Sequence, residues 1–94
     1  MHTHPKLTAA PLRPEDVLPE HVDRAEINGL SVRKGTVAAF LQNAIRWSDP
    51  HTPDTEREAL GHEIAGSVPA LRALGVFAVL EARDEHLRAF LASC

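Results

Sequence analysis

The pair Asn28-Gly29 is the feature that most narrows what this chain can fold into. A two-residue type I′ turn requires positive φ at both central residues, and asparagine and glycine tolerate positive φ best. The pair therefore predicts a hairpin with antiparallel strands over residues 23–27 and 30–34. One face of this hairpin is apolar and ends in an ion pair, through the cross-strand pairs Ile27–Leu30, Ala25–Val32 and Asp23–Lys34.

The other face of the predicted hairpin is polar. It places Glu26 opposite Ser31 and Arg24 opposite Arg33. Like charges directly across a strand pair are unfavourable unless water or an anion surrounds them. Solvation is the simpler interpretation of the two arginines.

An amphipathic helix follows the hairpin directly. Gly35 offers a flexible corner and Thr36 a hydroxyl N-cap, and Pro50 ends the helix after Ser48 and Asp49. The apolar positions have helical spacing: Val37, Phe40, Leu41, Ala44 and Ile45. Because an isolated hairpin is marginal in water, we expect its apolar face to lie on this helix. Trp47 is expected to close the core at the end of the helix.

The chain before the hairpin divides into an arm and one helical turn. Residues 1–12 are polar or small, with two prolines and no periodicity, which predicts a mobile N-terminal arm. Pro14 suits the first turn of a helix and Pro19 stops it. Val17 and Leu18 are then available to cover an edge of the core. Residues 13–94 are expected to form a single domain.

A second long helix is expected to begin near residues 53–56, capped by Thr52 or Thr55. Its apolar stripe is narrow: Ala59, Leu60, Ile64 and Val68. Pro69 has no amide to donate, so we expect the helix to kink or restart there with Ser67 as the new N-cap.

The last part of the chain contains one ambiguous segment. Gly75 is a suitable left-handed C-cap, and residues 76–80 follow with a β-branched apolar run that fits either a strand or a helix. We favour helix or turn. A break is expected at residues 82–84, and then a final helix that carries Leu87, Phe90 and Leu91.

These elements predict an α+β fold, a small β-hairpin packed on three to four short helices. A chain of 94 residues buries only about 60 to 65% of the surface that it exposes when unfolded, so the core is small. We expect Phe40, Leu41, Ile45 and Leu71 to lie in it.

Composition excludes several classes of function. A net charge of −3 disfavours nucleic-acid binding, which requires a basic surplus. No apolar run reaches the roughly 18 to 20 residues of a membrane span, and the first residues lack a hydrophobic signal core, so a cytoplasmic protein is expected. Cys94 is the single cysteine, and we expect it to be an inert thiol at the end of the chain.

No motif for catalysis, metal binding or cofactor binding is evident. The six histidines lack metal-ligand spacing, and His2 and His4 fit an adventitious metal contact better than a biological site. Glu58 and His62 are four residues apart on a helix, which fits an ordinary surface pair. We therefore expect no enzyme activity, no metal and no cofactor.

Two stretches resemble a family of small uncharacterised bacterial proteins, a domain of unknown function. The matching residues are Gly35, Thr36, Val37, Ala38 and Ala39 at a helix start, then Pro69, Leu71, Gly75, Val76 and Phe77. The resemblance covers about two thirds of the chain and implies no activity and no functional residues. Some members carry a protein-translocase subunit label, which does not fit a chain without a membrane span.

The function that the sequence favours is a small cytoplasmic accessory or protein-interaction module without catalysis. Its partner is itself, as a homodimer, or another protein, with Trp47, Leu87, Phe90 and Leu91 as candidate interaction residues. The hairpin edges and the last helix are the two candidate dimer surfaces. The alternative is a small-molecule-binding or sensor domain with its site between the hairpin and the helices.

Overall fold

The computed structural model describes residues 11–94 and has an α+β fold, with one two-stranded antiparallel sheet and five helices in that range. In chain order the elements are α1 (Pro14–Val17), β1 (Arg24–Ile27), β2 (Leu30–Arg33), α2 (Thr36–Ser48), α3 (Asp54–Leu74), α4 (Val76–Val79) and α5 (Glu85–Ser93). Helix α3 is central, since α2, α4 and strand β2 all contact it. The predicted mobile arm lies almost wholly outside the described residues.

The hairpin has the predicted turn and register. Asn28 and Gly29 have φ of 50° and 81°, as a type I′ turn requires. The pairs run from Ile27–Leu30 to Arg24–Arg33. The Asn28 side chain also donates a hydrogen bond of 2.6 Å to the carbonyl of Ala73, which ties the hairpin tip to the end of α3.

The predicted ion pair at the open end of the hairpin is wrong. Lys34 and Asp23 are joined through their backbones, with a hydrogen bond of 2.6 Å from the Lys34 amide to the Asp23 carbonyl. The Lys34 ammonium instead donates to the carbonyl of Glu20 at 2.7 Å. The preceding loop places a main-chain acceptor within its reach, so the lysine anchors that loop.

The hydroxyl caps predicted for α2 and α3 are also wrong. Gly35 is the N-cap of α2, at φ 89°, and neither helix has a side-chain cap. The Thr36 hydroxyl donates to the Arg33 carbonyl at 2.6 Å, and the Thr52 hydroxyl donates to the Arg46 carbonyl at 2.6 Å. Both threonines therefore satisfy carbonyls of the element before the helix.

Helix α3 runs unbroken through Pro69, which overturns the predicted restart. Ser67 donates to the Ile64 carbonyl at 2.8 Å and does not cap a new helix. Proline in a helix interior costs about 3 kcal/mol. Burial on both sides of the proline offsets that cost, because Ile64, Val68 and Leu71 are each at most 1% exposed.

The chain after α3 follows the prediction. Gly75 ends the helix in the left-handed conformation at φ 87°, and residues 76–79 are helical. An extended break precedes α5, whose N-cap Asp84 accepts a hydrogen bond of 2.8 Å from the Leu87 amide. Residues 76–80 therefore do not add a third strand to the sheet.

The core lies between α2, α3 and α5. Its buried cluster consists of Phe40, Ala44, Ile64, Val68, Leu71, Leu87 and Leu91. Phe40 and Leu71 are core residues as predicted, but Leu41 and Ile45 are not, since 50% and 66% of each is exposed. Val17 is 49% exposed and does not cover the core.

Trp47 packs against this cluster at the end of α2, as predicted. Its ring stacks on Phe90 at a centroid distance of 5.1 Å. Gly61 lies beneath the two rings, where an added Cβ would be 3.4 Å from Phe90 and 3.6 Å from Trp47. A single methyl group at this point of α3 would therefore be in ordinary contact with both rings, and only a longer side chain would have to displace them.

Candidate interaction groove

Helix α2 carries a second apolar stripe that no described residue covers. Phe40 and Ala44 face the core, whereas Val37, Leu41 and Ile45 follow one another at four-residue spacing on the adjoining face. These three are 41%, 50% and 66% exposed. A surface helix normally presents one apolar stripe to the core, so the second stripe is apolar surface beyond what the described core uses.

The stripe borders a groove between α2 and the chain from α4 to α5, which we call the apolar groove. Its volume is about 680 Å³. The wall opposite α2 includes Val76, Leu80 and Ala82, and the floor consists of core side chains: Phe40, Ala44, Phe77, Leu87 and Leu91. Leu80 of this wall is 65% exposed, and its neighbour Val79, which does not line the groove, is 81% exposed.

The far wall of the groove is held in place by specific contacts. Phe40 and Phe77 meet edge to face across the floor, with centroids 6.3 Å apart and an interplanar angle of 79°. Arg88 donates to the Ala82 carbonyl at 2.7 Å, which fixes the break before α5. The groove is thus part of the folded framework and does not depend on a ligand to exist.

The end of α2 is fixed by one arginine. The Arg57 guanidinium donates to the carbonyls of Trp47 at 3.0 Å and Asp49 at 2.8 Å, and it pairs with the Asp54 carboxylate at 3.2 Å. A planar guanidinium holds several acceptors at once in a defined geometry. Arg57 therefore sets the angle at which the chain leaves α2 and enters α3.

The groove combines an apolar floor with several polar and charged lining residues. Four charged residues line it, namely Asp49, Glu81, Arg83 and Asp84, and its floor is apolar. Asp49 and Asp84 already accept backbone hydrogen bonds from His51 and Leu87. Among the described residues, no histidine, cysteine or lysine lines this groove, whereas Ser48, which carries a hydroxyl, does.

Three further groups that the sequence analysis considered lie outside the apolar groove. Within residues 11–94 no three histidine, cysteine or carboxylate side chains gather as a metal site. Glu58 and His62 lie on an exposed part of α3, in a shallow depression beside Trp47. Cys94 is exposed, and its thiol donates to the Phe90 carbonyl at 3.3 Å.

The structure separates the four predicted interaction residues into two places. Leu87 and Leu91, 8% and 7% exposed, form part of the groove floor. Trp47 and Phe90 stack on each other above Gly61, outside the groove. All four contribute to the core of one chain, so the exposed apolar surface is supplied by other residues.

The sequence contained a signal for the residues that the prediction missed. At 3.6 residues per turn, the apolar positions of α2 from Val37 to Trp47 cover an arc of roughly 160°. A core-facing stripe needs only about 100°. The excess arc, which includes Leu41 and Ile45, is the part that the structure leaves exposed.

Comparison with known proteins adds no identity. No family model, no curated protein and no solved structure matches the chain. The resemblance to a domain of unknown function therefore stays a prediction. Of the helices within the described residues, none has the length and apolar character needed to cross a bilayer.

Proposed function

We propose that this protein is a self-associating interaction module of the cytoplasm, without catalysis of its own, in which a second copy of the chain covers the apolar groove. The observation that carries the proposal is the exposed stripe on α2 beside a groove of about 680 Å³. The cytoplasmic location is supported by a fold that uses no disulfide, since its single cysteine is free.

The free energy available at this surface is substantial for a small protein. Full burial of a leucine or isoleucine side chain contributes about 1.5 to 3 kcal/mol. Leu41, Ile45 and Leu80 are 50% to 66% exposed, so covering each would contribute roughly 1 to 2 kcal/mol. Association costs about 4 kcal/mol or more in lost translation and rotation, which predicts a dimer of moderate affinity.

Self-complementarity favours a second copy as the occupant. The same face carries an apolar depression with the largely exposed side chain of Leu80 on its wall, and Val79, the last residue of α4, is exposed next to Leu80 in the chain. In a two-fold dimer, each copy presents the same patch to the other. The Leu80 side chain of one copy can then enter the groove of its partner while the two α2 stripes pack together.

The other surfaces considered for a dimer are less suitable. Each strand of the hairpin has only four residues, and Arg24, Glu26 and Arg33 interrupt their apolar character. Short and charged edges disfavour pairing between chains. The buried side chains of α5, Leu87 and Leu91, have little further surface to contribute.

Sedimentation equilibrium of three proteins tests the proposal. The wild type should show a mass that rises from 10.3 kDa towards twice that value as concentration increases through about 10 to 100 μM. Ile45→Glu places a carboxylate in the stripe and should weaken dimerisation at least about tenfold. Gln42→Glu adds the same charge to an exposed position of α2 outside the stripe and should leave the association unchanged.

Circular dichroism should show that all three proteins keep their helices. A wild-type mass that stays at 10.3 kDa over the whole concentration range would contradict self-association. Equal weakening by both substitutions would place the contact surface elsewhere, since only Ile45 lies in the stripe.

A further inference from the structure

A second cavity lies between the hairpin and the two long helices, and we call it the hairpin cavity. Its volume is about 580 Å³. Arg24, Ser31 and Arg33 of the hairpin's polar face form one wall. The opposite wall comes from α2 and α3 and includes Asn43, His62, Glu63, Gly66 and Ser67.

The two arginines of this cavity have no carboxylate partner. Ion pairs within residues 11–94 occupy Arg13, Arg46 and Arg57, and neither Arg24 nor Arg33 takes part in one. Within residues 11–94, the Arg24 side chain makes one hydrogen bond, a long one of 3.4 Å to the Ser31 hydroxyl. Carboxylates are not scarce, because the chain has 13 acidic against 10 basic residues.

Arg24 and Arg33 repel each other across the strand pair, and because both are exposed, water moderates that repulsion in the free protein. Arg24 and Arg33 are direct cross-strand partners, so their positive charges lie on the same face of the hairpin. Like charges opposite each other destabilise a strand pair, and an anion between them relieves the repulsion. An acidic protein that concentrates unpaired guanidinium groups in a cavity has the electrostatics of an anion site.

The start of α2 also contributes positive potential to the cavity. Lys34 lines the cavity as well, but its ammonium donates to the Glu20 carbonyl, which lies at a separate depression that Glu20 and Lys34 both line. The first residues of α2 lie on the wall, where the helix dipole adds to the positive field that the side chains set. Glu63 is the one carboxylate among the lining residues.

We propose that the hairpin cavity binds the phosphate group of a small phosphorylated molecule. A carboxylate has two oxygens and can accept a pair of parallel hydrogen bonds from one guanidinium group. A phosphate has enough oxygens to accept such pairs from two guanidinium groups. A volume of about 580 Å³ exceeds what a phosphate alone requires and leaves room for the rest of a metabolite. Asn43 and Ser67 supply polar atoms that can orient it.

Gly66 provides a way to close the cavity without changing its charge. It lies on the cavity wall within α3, and a Cβ built on it meets no atom within 4 Å. A leucine at this position extends into the open space. The helix tolerates the change, since leucine is a better helix former than glycine.

Titration with phenyl phosphate, followed by two-dimensional NMR of the backbone amides, tests the site. The amides of residues 31–36 and 62–67 should shift and saturate with a dissociation constant of about 1 mM or below. Benzoate at equal ionic strength should bind at least about tenfold more weakly, because its carboxylate can accept paired hydrogen bonds from only one guanidinium group. Shifts that spread over the molecule without saturation would overturn the proposal.

Three variants locate the binding. Arg33→Gln should weaken phenyl phosphate at least about tenfold, and Gly66→Leu should do so without removing a charge. Arg72→Gln, which removes a charge from an exposed part of α3 outside the cavity, should leave the affinity unchanged. The NMR spectrum of each variant confirms that it is folded.

The variants also separate the site from a general attraction to positive charge. Equal weakening by Arg72→Gln and Arg33→Gln would mean that the overall charge of the protein binds the anion, and would refute the site. Unchanged binding by Gly66→Leu would place the anion outside the hairpin cavity. Both results are independent of dimerisation, because neither Arg33 nor Gly66 lines the apolar groove.

Discussion

Truncation of Leu71 should be among the most damaging single changes in this protein. Leu71 is completely buried in the core cluster on α3. Leucine to alanine removes about three methylene-sized groups, each contributing about 0.8 kcal/mol, which gives about 2.5 kcal/mol. The cavity left in a close-packed core raises the loss of unfolding free energy to about 3 to 5 kcal/mol.

Leu41→Ala is the matched control, since the same atoms are removed from the groove side of α2. Leu41 is 50% exposed and borders a groove that is already open, so no new cavity forms. Only about half of the transfer free energy of the removed groups is lost, because half of the side chain is already exposed, and we expect a cost of about 1 kcal/mol. Total stabilities of small domains are of order 5 to 15 kcal/mol, so only Leu71→Ala approaches complete unfolding.

Urea denaturation followed by tryptophan fluorescence measures both variants. Trp47 is the only tryptophan and stacks against Phe90 at the edge of the core, so its emission reports the loss of core packing. The protein is kept below about 1 μM so that self-association adds nothing. Equal costs for the two variants, or a cost for Leu71→Ala below about 1 kcal/mol, would refute the placement of the core.

Four further changes test other parts of the structure. Gly66→Ala should raise the unfolding free energy by about 0.5 to 1 kcal/mol, because alanine favours a helix more than glycine does. Gly61→Leu should lower it by about 1 to 3 kcal/mol, because the leucine side chain displaces Trp47. Urea denaturation measures both changes. Arg57→Lys should cost about 1 to 3 kcal/mol in the same assay, since an ammonium cannot hold both carbonyls and the carboxylate. Asn28→Asp keeps a residue that tolerates positive φ but removes the side-chain amide that donates to α3. A thermal melt should show a loss of about 1 kcal/mol in unfolding free energy, and an unchanged melt would mean that this hydrogen bond contributes nothing.

Local sequence signals predicted the hairpin and the last helices well. Asn28-Gly29 determines the turn because few other residue pairs accept positive φ at both positions. Gly75 ends α3 for a similar reason. These features depend on the backbone preferences of one or two residues, so neighbouring sequence suffices to predict them.

Features that depend on tertiary contacts were not predicted. Pro69 remains within α3 because the residues on both sides of it are buried, and burial is not visible in a local pattern. Leu41 and Ile45 have the spacing of core residues, yet α3 and α5 cover only one side of α2. The register of the hairpin was enough to predict that Arg24 lies opposite Arg33. The wall that α2 and α3 form opposite these arginines could be seen only in the structure.

Isotope-filtered NMR tests the central claim, coverage of the apolar groove by a second copy, most directly. An equimolar mixture of ¹³C-labelled and unlabelled protein, at about 0.5 mM so that the expected dimer is well populated, reports only contacts between copies. The account predicts intermolecular nuclear Overhauser effects from the methyl groups of Leu41 and Ile45 to those of Val79 and Leu80. An absence of such effects in a sample whose mass by sedimentation is 10.3 kDa would contradict it, as would intermolecular contacts confined to the hairpin edges.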